Sequence, residues 1–143
     1  MQPVLWDGDF IQIQPQKTLK SGDIALFTYL DEGQLAHRVI AVTEEVFYCK
    51  GDNAFRIEEV PSDVIVGKVV GRYTEQGWSS CCFRSRLISR LVCYLSEKIN
   101  QQTIKANWDV AFVRKCFPYK FLQWLLKQRI LYSTGKEKTG GNF

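Results

Sequence analysis

The sequence lacks several features that would assign its class at once. It contains a single histidine and a single methionine in 143 residues. No apolar run approaches the roughly 18 residues that a membrane-spanning helix needs, and no basic flank followed by an apolar segment stands at the N-terminus, as it would in a secretory signal. We therefore expect a chain without a transmembrane segment, cytoplasmic or peripheral to a membrane.

Cysteine is present, but not in a metal-binding pattern. The five cysteines include no Cys-x-x-Cys pair, and one histidine does not complete a zinc set with them. An odd number of cysteines also argues against a secreted scaffold held by disulfides. We expect reduced and mostly buried thiols, no metal site and no cofactor.

Negative charge is scarce in the second part of the chain. Residues 84–143 carry 12 Lys and Arg against 3 Asp and Glu, whereas residues 1–83 carry 7 against 12. A basic half suits an anionic partner such as a phospholipid surface or nucleic acid, or it docks on the acidic half. We expect no nucleic acid, because the basic residues follow no recognisable binding motif. An anionic membrane surface stays a candidate partner of the basic helices.

Hydrophobic periodicity predicts strands in the first half of the chain. Runs that are apolar or alternate with polar residues, bounded by Gly, Asp and Pro, lie at residues 10–14, 24–29, 35–42, 46–49 and 64–73. Gly67 and Gly71 in the last run allow bends or bulges. The passage at 56–61 is charged and irregular.

From residue 83 the period changes to three or four residues, which predicts a helix to about residue 99. A second helical region spans about 108–132 and is interrupted at Phe117-Pro118, since proline cannot continue the hydrogen-bond ladder. We therefore expect an α+β protein, with a mostly antiparallel β domain at 1–80 and basic amphipathic helices at 81–143 packed on it.

The single histidine, His37, lies in the third predicted strand, so a rigid sheet is expected to present it. Histidine titrates near neutrality, and Asp52 follows in a Gly-Asp turn; together they suggest a general base and a carboxylate that orients it. The pair lacks a nucleophile. A structural role stays open for both residues, because a lone strand histidine is commonly structural and Asp52 can cap its turn.

Four short boxes in the β half resemble those of the type I signal peptidases and their relatives, the superfamily of serine peptidases that includes the LexA-like autoproteases. In chain order they are Met-Gln-Pro-Val-Leu with Gly-Asp (1–5 and 8–9), Ser-Gly-Asp-Ile (21–24), His-Arg-Val (37–39), and Lys-Gly-Asp-Asn with Gly-Lys-Val (50–53 and 67–69). The third box is similar to that of the subgroup that uses histidine as its base. The four boxes are spread over residues 1–73, about half of the chain.

The resemblance implies a coiled β half-barrel of the signal-peptidase or LexA-like type, with a substrate peptide lying along a strand edge. In such enzymes a serine attacks the peptide carbonyl, a neighbouring base takes its proton and backbone amides hold the oxyanion. Carried over to this sequence, His37 would be the base. Asp52 would be the carboxylate that fixes its tautomer, and Glu58 is a second candidate for that role.

The family's nucleophilic serine would stand immediately before Met1, and no other serine of this sequence replaces it. The residues of the same box, Met1, Pro3 and Leu5, would contact the substrate. In one interpretation the natural start lies upstream and supplies the serine, and the protein is a serine endopeptidase that processes a leader or precursor peptide. In another it is a catalytically inactive peptidase-like module that binds extended peptides or a partner protein. A third is an adaptor that docks on a partner or a membrane surface through its basic helices.

Overall fold

Seven antiparallel strands precede the helices in the computed structural model, which describes residues 1–30 and 33–134. The strands are β1 (Phe10–Gln14), β2 (Ile24–Thr28), β3 (Gln34–Val42), β4 (Val46–Lys50), β5 (Glu58–Pro61), β6 (Ile65–Thr74) and β7 (Gly77–Ser80). They form one sheet in the order β1-β6-β2-β3-β4-β5, and β7 pairs with β6. The sheet is not closed, so β1 and β5 lie at its edges.

Three α-helices follow the sheet within the described residues: α1 (Arg86–Asn100), α2 (Val110–Val113) and α3 (Phe117–Leu126). A π-helical turn at Gln101–Lys105 extends α1. The side chain of Ser85 caps α1 by accepting a hydrogen bond from the Ile88 N–H at 3.3 Å. The predicted α+β class is confirmed, although the last part of the predicted helical unit, residues 135–143, lies outside the described residues.

Two features of the helical half differ from the sequence prediction. Pro118 does not interrupt a helix but lies in the first turn of α3, where the missing N–H has no helical acceptor to lose. The interruption occurs instead at residues 114–116, between α2 and α3.

The five predicted strands are confirmed, and two strands were not predicted. β5 lies in the passage interpreted as irregular, because its two glutamates and a proline are poor strand formers. Among the described strands it pairs with β4 only, and an edge strand tolerates such residues because one side of its backbone is not paired. β7 is a short return strand that begins at Gly77, directly after the turn at residues 75–76.

Bulges in β6 occur where glycines predicted them. The register with β1 skips one residue of β6 between Gly71 and Val69, and the register with β2 skips one between Gly67 and Ile65. A Cβ at Gly71 would lie 2.3 Å from the indole Nε1 of Trp78, and one at Gly67 would lie 2.6 Å from the backbone O of Gln14. Glycine is therefore required at both positions because neighbouring atoms approach the backbone closely.

The sheet buries both of its faces around β2. Alternate residues of this strand belong to two apolar clusters, Ile24 and Leu26 to one, Ala25 and Phe27 to the other. The first cluster also contains the buried faces of the helices, namely Val92, Leu95, Ile99, Leu122, Leu125 and Leu126. The helices therefore share a core with β2, the strand next to β3.

None of the helices in residues 1–30 and 33–134 combines the length and the apolar composition that crossing a membrane requires.

Candidate active site

His37 lies on β3, opposite Ala25 of β2, and its side chain is 18% exposed. The ring of Phe27 meets the imidazole edge-on, with ring centroids 5.7 Å apart. Both neighbours belong to β2, which is hydrogen-bonded to β3, so the position of the imidazole is set by the sheet, as the sequence predicted.

Glu58 of β5 provides the carboxylate next to this imidazole. Its Oε2 lies 3.2 Å from His37 Nδ1. Both atoms are buried, and neither has a hydrogen-bond partner elsewhere in the described residues. The two residues are brought together by β4, which pairs with β3 on one side and with β5 on the other. Because β5 was not predicted as a strand, sequence reasoning could name Glu58 as a candidate but could not place it.

The environment of His37 favours its neutral form. Burial lowers the pKa of His37 below its ordinary value of 6.5, while the negative charge of Glu58 opposes this shift and the N-terminal ammonium of Met1 adds to it. A neutral imidazole at neutral pH is the form that can accept a proton.

A cavity of ≈ 270 Å³ joins the N-terminus to His37. Met1 and Leu5, predicted to contact a substrate, line it together with His37. The other residues that line it are Trp6, Asp7, Gly8, Asp9, Ile11, Leu26, Gln34, Leu35 and Ala36. Pro3, the third residue of that prediction, lines a different cavity of ≈ 130 Å³ beside Arg72 and Tyr132. The structure thus brings His37 together with two of the three predicted contact residues.

Asp52, the first candidate for orienting His37, is held by Arg38 instead. Its Oδ1 and Oδ2 accept hydrogen bonds of 2.7 Å from Nε and Nη2 of Arg38. Both side chains are fully buried, 0% and 1% exposed. Arg38 also donates to the Gly22 backbone O at 2.8 Å and lies over the ring of Phe83, with its Cζ 4.7 Å from the ring centroid. Of the two candidate carboxylates, the geometry therefore places Glu58, and not Asp52, against the imidazole.

The turn that contains Asp52 lies beside His37, and it is bonded to two other parts of the molecule. Arg38 connects it to the Gly22 turn. The backbone O of Asp52 accepts a hydrogen bond of 2.7 Å from Nε2 of Gln123 in α3. Arg38 and Asp52 are 14 residues apart in the sequence, so this pair is recognised only once the strands are folded together.

Lys50 is a further member of the site region that sequence reasoning missed. Its side chain is buried, and its Nζ donates hydrogen bonds of 2.9 Å to the backbone O atoms of Gly51 and Ala54. Burial lowers the pKa of Lys50 to about 8, although the charge of Asp52 opposes the shift. A Cβ at Gly51 would lie 3.5 Å from His37 Nε2. Lys50 thus holds a turn whose glycine faces the second imidazole nitrogen.

None of the described residues that line the cavity with His37 is a serine, threonine or cysteine. Nor do the described residues contain a group of three or more His, Cys, Asp or Glu side chains that could hold a metal ion. The five cysteines are free thiols, and three of them, Cys49, Cys81 and Cys93, are buried. The arrangement therefore places an imidazole beside a carboxylate, without a hydroxyl or thiol side chain among the described residues that line this cavity.

The chain matches no model of a known protein family, no curated protein and no solved structure.

Proposed function

We propose that the protein is a serine endopeptidase of the signal-peptidase type, which processes a leader or precursor peptide. In this proposal a serine directly before Met1 is the nucleophile, His37 is its base and Glu58 orients His37. One arrangement carries the proposal: Met1 and His37 line the same cavity, and Glu58 contacts the imidazole at Nδ1. The open, bulged antiparallel sheet is compatible with the coiled half-barrel that the sequence boxes imply.

In the proposed reaction the serine hydroxyl oxygen attacks the carbonyl carbon of the peptide, and its proton moves to Nε2 of His37. Glu58 stabilises the imidazolium through Nδ1. The imidazolium then gives the proton to the leaving nitrogen as the C–N bond breaks, which leaves an acyl-enzyme ester. Water attacks this ester with His37 again acting as base, and the serine and a carboxylic acid are released. Burial, which lowers the pKa of His37, keeps the required neutral imidazole present at neutral pH.

The test compares two chains that are extended at the N-terminus. One carries Gly-Ser directly before Met1, and the other carries Gly-Ala there. Each is incubated with a fluorogenic peptide that has small residues before the scissile bond. We expect cleavage by the Gly-Ser chain only, and a loss of about 10²–10⁴-fold in kcat/KM when His37→Gln is added. Equal rates for the two chains, or an unchanged rate in His37→Gln, would refute the proposal.

A second candidate is a catalytically inactive module that binds an extended peptide as an added strand. It is favoured by the pairing of β3: in the described part of the chain, residues 34–37 pair with β2 only, because the pairing with β4 begins at Arg38. Gln34, Leu35 and Ala36 also line the cavity. A peptide can therefore hydrogen-bond to this free edge.

Peptide binding separates the two candidates. If the protein is only a binding module, fluorescence polarisation will show peptide binding that survives His37→Gln and is lost when the peptide backbone is N-methylated. The Gly-Ser chain will then bind the peptide without cutting it.

A further inference from the structure

A third cavity, of ≈ 690 Å³, lies between the turn that precedes β2 and the first half of α1. We call it the basic cleft. It shares no lining residue with the cavity at His37. Its lining residues are Lys20, Ser21, Asp23, Ile40, Phe83, Arg84, Ser85, Arg86, Ser89, Arg90, Cys93, Tyr94 and Glu97. Its volume is within the range of about 300–1,000 Å³ that is typical of small-molecule sites.

Positive charge dominates the basic cleft. Four cations line it, Lys20, Arg84, Arg86 and Arg90, against two carboxylates. One of these carboxylates, Asp23, is already bound by Lys68, with Nζ and Oδ1 2.9 Å apart. None of the four cations forms an ion pair with a carboxylate of residues 1–30 or 33–134. The cleft therefore holds cationic groups whose countercharge is not supplied by the neighbouring protein.

The position of the arginines in α1 is unfavourable without an anion. Helices favour acidic residues in their first turn, because the N-terminal end of the helix dipole is positive. The first turn of α1 contains no acidic residue and includes Arg86, with Arg84 just before it and Arg90 one turn later. An anion in the basic cleft would compensate both the arginines and the helix dipole.

The walls of the basic cleft are held in place by close packing. A Cβ at Gly22 would lie 2.6 Å from Oγ of Ser89, so α1 packs directly on the turn before β2. Gly22 adopts φ +96°, and its N–H donates to the Val39 backbone O at 2.8 Å. The same turn accepts a hydrogen bond from the buried Arg38. The cleft is therefore preformed, which reduces the entropy lost when a ligand binds.

We propose that the basic cleft binds a phosphate group, carried by a small soluble molecule or by a lipid headgroup. Arginine guanidinium groups suit this ligand because their paired N–H donors match two phosphate oxygens. The hydroxyl groups of Ser21 and Ser89 provide additional donors at the wall of the cleft. This inference is independent of the proposed peptidase activity, since it uses none of its residues.

The test uses the full chain and two double variants that remove equal charge. Arg86→Gln with Arg90→Gln alters the cleft; Lys105→Gln with Lys120→Gln changes two exposed lysines that do not line it. Binding of inorganic pyrophosphate is measured by calorimetry at fixed ionic strength, after circular dichroism has shown that each variant is folded. We expect binding at least about 10-fold weaker in the arginine variant, since each charge-assisted hydrogen bond contributes substantially to affinity. The lysine variant should remain within about 2-fold of the original chain.

A second experiment, with lipid vesicles, identifies whether a lipid headgroup or a soluble molecule carries the phosphate. Flotation is compared for vesicles of phosphatidylcholine alone and with phosphatidic acid added. Arginine-dependent binding to the phosphatidic acid vesicles that pyrophosphate competes away would indicate a lipid headgroup, and pyrophosphate binding without vesicle binding would indicate a soluble ligand. The absence of both, or an equal loss in the two double variants, would overturn the proposal, because it would leave only general attraction to a basic surface.

Discussion

His37 Nδ1 lies 3.2 Å from Glu58 Oε2, and this contact joins the only histidine of the chain to an edge strand. A carboxylate at Nδ1 favours the tautomer with the proton on that nitrogen and leaves Nε2 free to accept one. The pair therefore has the polarity that a base and its orienting carboxylate require.

We expect Glu58→Gln to lower the pKa of His37 further, because the negative charge that opposes the effect of burial is removed. The measurement is an NMR titration of the imidazole, which gives one histidine signal. Glu59→Gln is the matched control, because adjacent residues of a strand point to opposite faces. An unchanged pKa in Glu58→Gln, or equal shifts in the two variants, would contradict the contact.

The same shift predicts how stability depends on pH. The pKa of His37 is lower in the folded protein than its ordinary value of 6.5, so the unfolded chain binds the proton more readily. The contribution of His37 to the free energy of unfolding is fully present above pH 6.5 and is lost as the pH falls through the pKa of the folded protein. In Glu58→Gln this pKa is lower still, so the contribution should disappear only at a more acidic pH. Chemical denaturation at a series of pH values measures the change.

Removing one partner of the buried pair of Arg38 and Asp52 should strongly destabilise the protein. Arg38→Met leaves the Asp52 carboxylate buried without its cation, and we expect a loss of about 3–5 kcal/mol in the free energy of unfolding. Arg72→Met is the control, because the pair of Arg72 with Asp9 is partly exposed, and it should lose at most about 1 kcal/mol. Both are measured by urea denaturation.

The double variant Arg38→Met with Asp52→Leu tests why stability is lost in Arg38→Met. If the loss comes from an uncompensated charge, the double variant should be less destabilised than the sum of the two single variants. Similar losses in Arg38→Met and Arg72→Met would instead show that Arg38 is not held in a buried pair.

Gln123→Met should loosen the turn beside His37. The hydrogen bond from Gln123 Nε2 to the Asp52 backbone O joins α3 to this turn, and its loss should cost about 1 kcal/mol. Hydrogen exchange should become faster at the Ala54 N–H, which donates to the Gly51 O inside the turn. Gln128→Met serves as the control, because the side chain of Gln128 donates to the Trp124 backbone O in its own segment and, among the described residues, to no other group. Unchanged exchange at Ala54 in Gln123→Met would contradict this connection.

Lys50 should make stability rise with pH in the alkaline range. Its pKa is about 8 in the folded protein against an ordinary value of 10.5, so the unfolded chain binds more protons between these values. The difference in unfolding free energy between the original chain and Lys50→Met should therefore increase by about 3 kcal/mol from pH 8 to 10.5. The free energy of unfolding of Lys50→Met is subtracted to remove the contribution of other groups. Burial raises the pKa of the Cys49 and Cys81 thiols to about 12, and this lowers the stability of both chains as the pH rises above 9. If the difference in unfolding free energy between the two chains does not change with pH, Lys50 is hydrated in the folded protein.

The class of the fold and the location of most of its elements can be recognised in the amino-acid sequence alone. Apolar runs and runs that alternate with polar residues marked five strands, and a period of three to four residues marked α1. Gly67 and Gly71 indicated the bulges of β6 because glycine within a strand permits close backbone approach. These properties are local, so they can be recognised before the chain is folded.

Which carboxylate meets His37 and which meets Arg38 depends on how the strands pair in the folded protein. Both candidate acids, Asp52 and Glu58, follow the histidine in the sequence, and local chemistry does not distinguish them. The pairing of β4 with both β3 and β5 places Glu58 at the imidazole, while adjacent residues of β3 point to opposite faces and so direct Arg38 into the core toward Asp52. Long-range strand pairing, which no single segment encodes, is the physical reason for this division of roles.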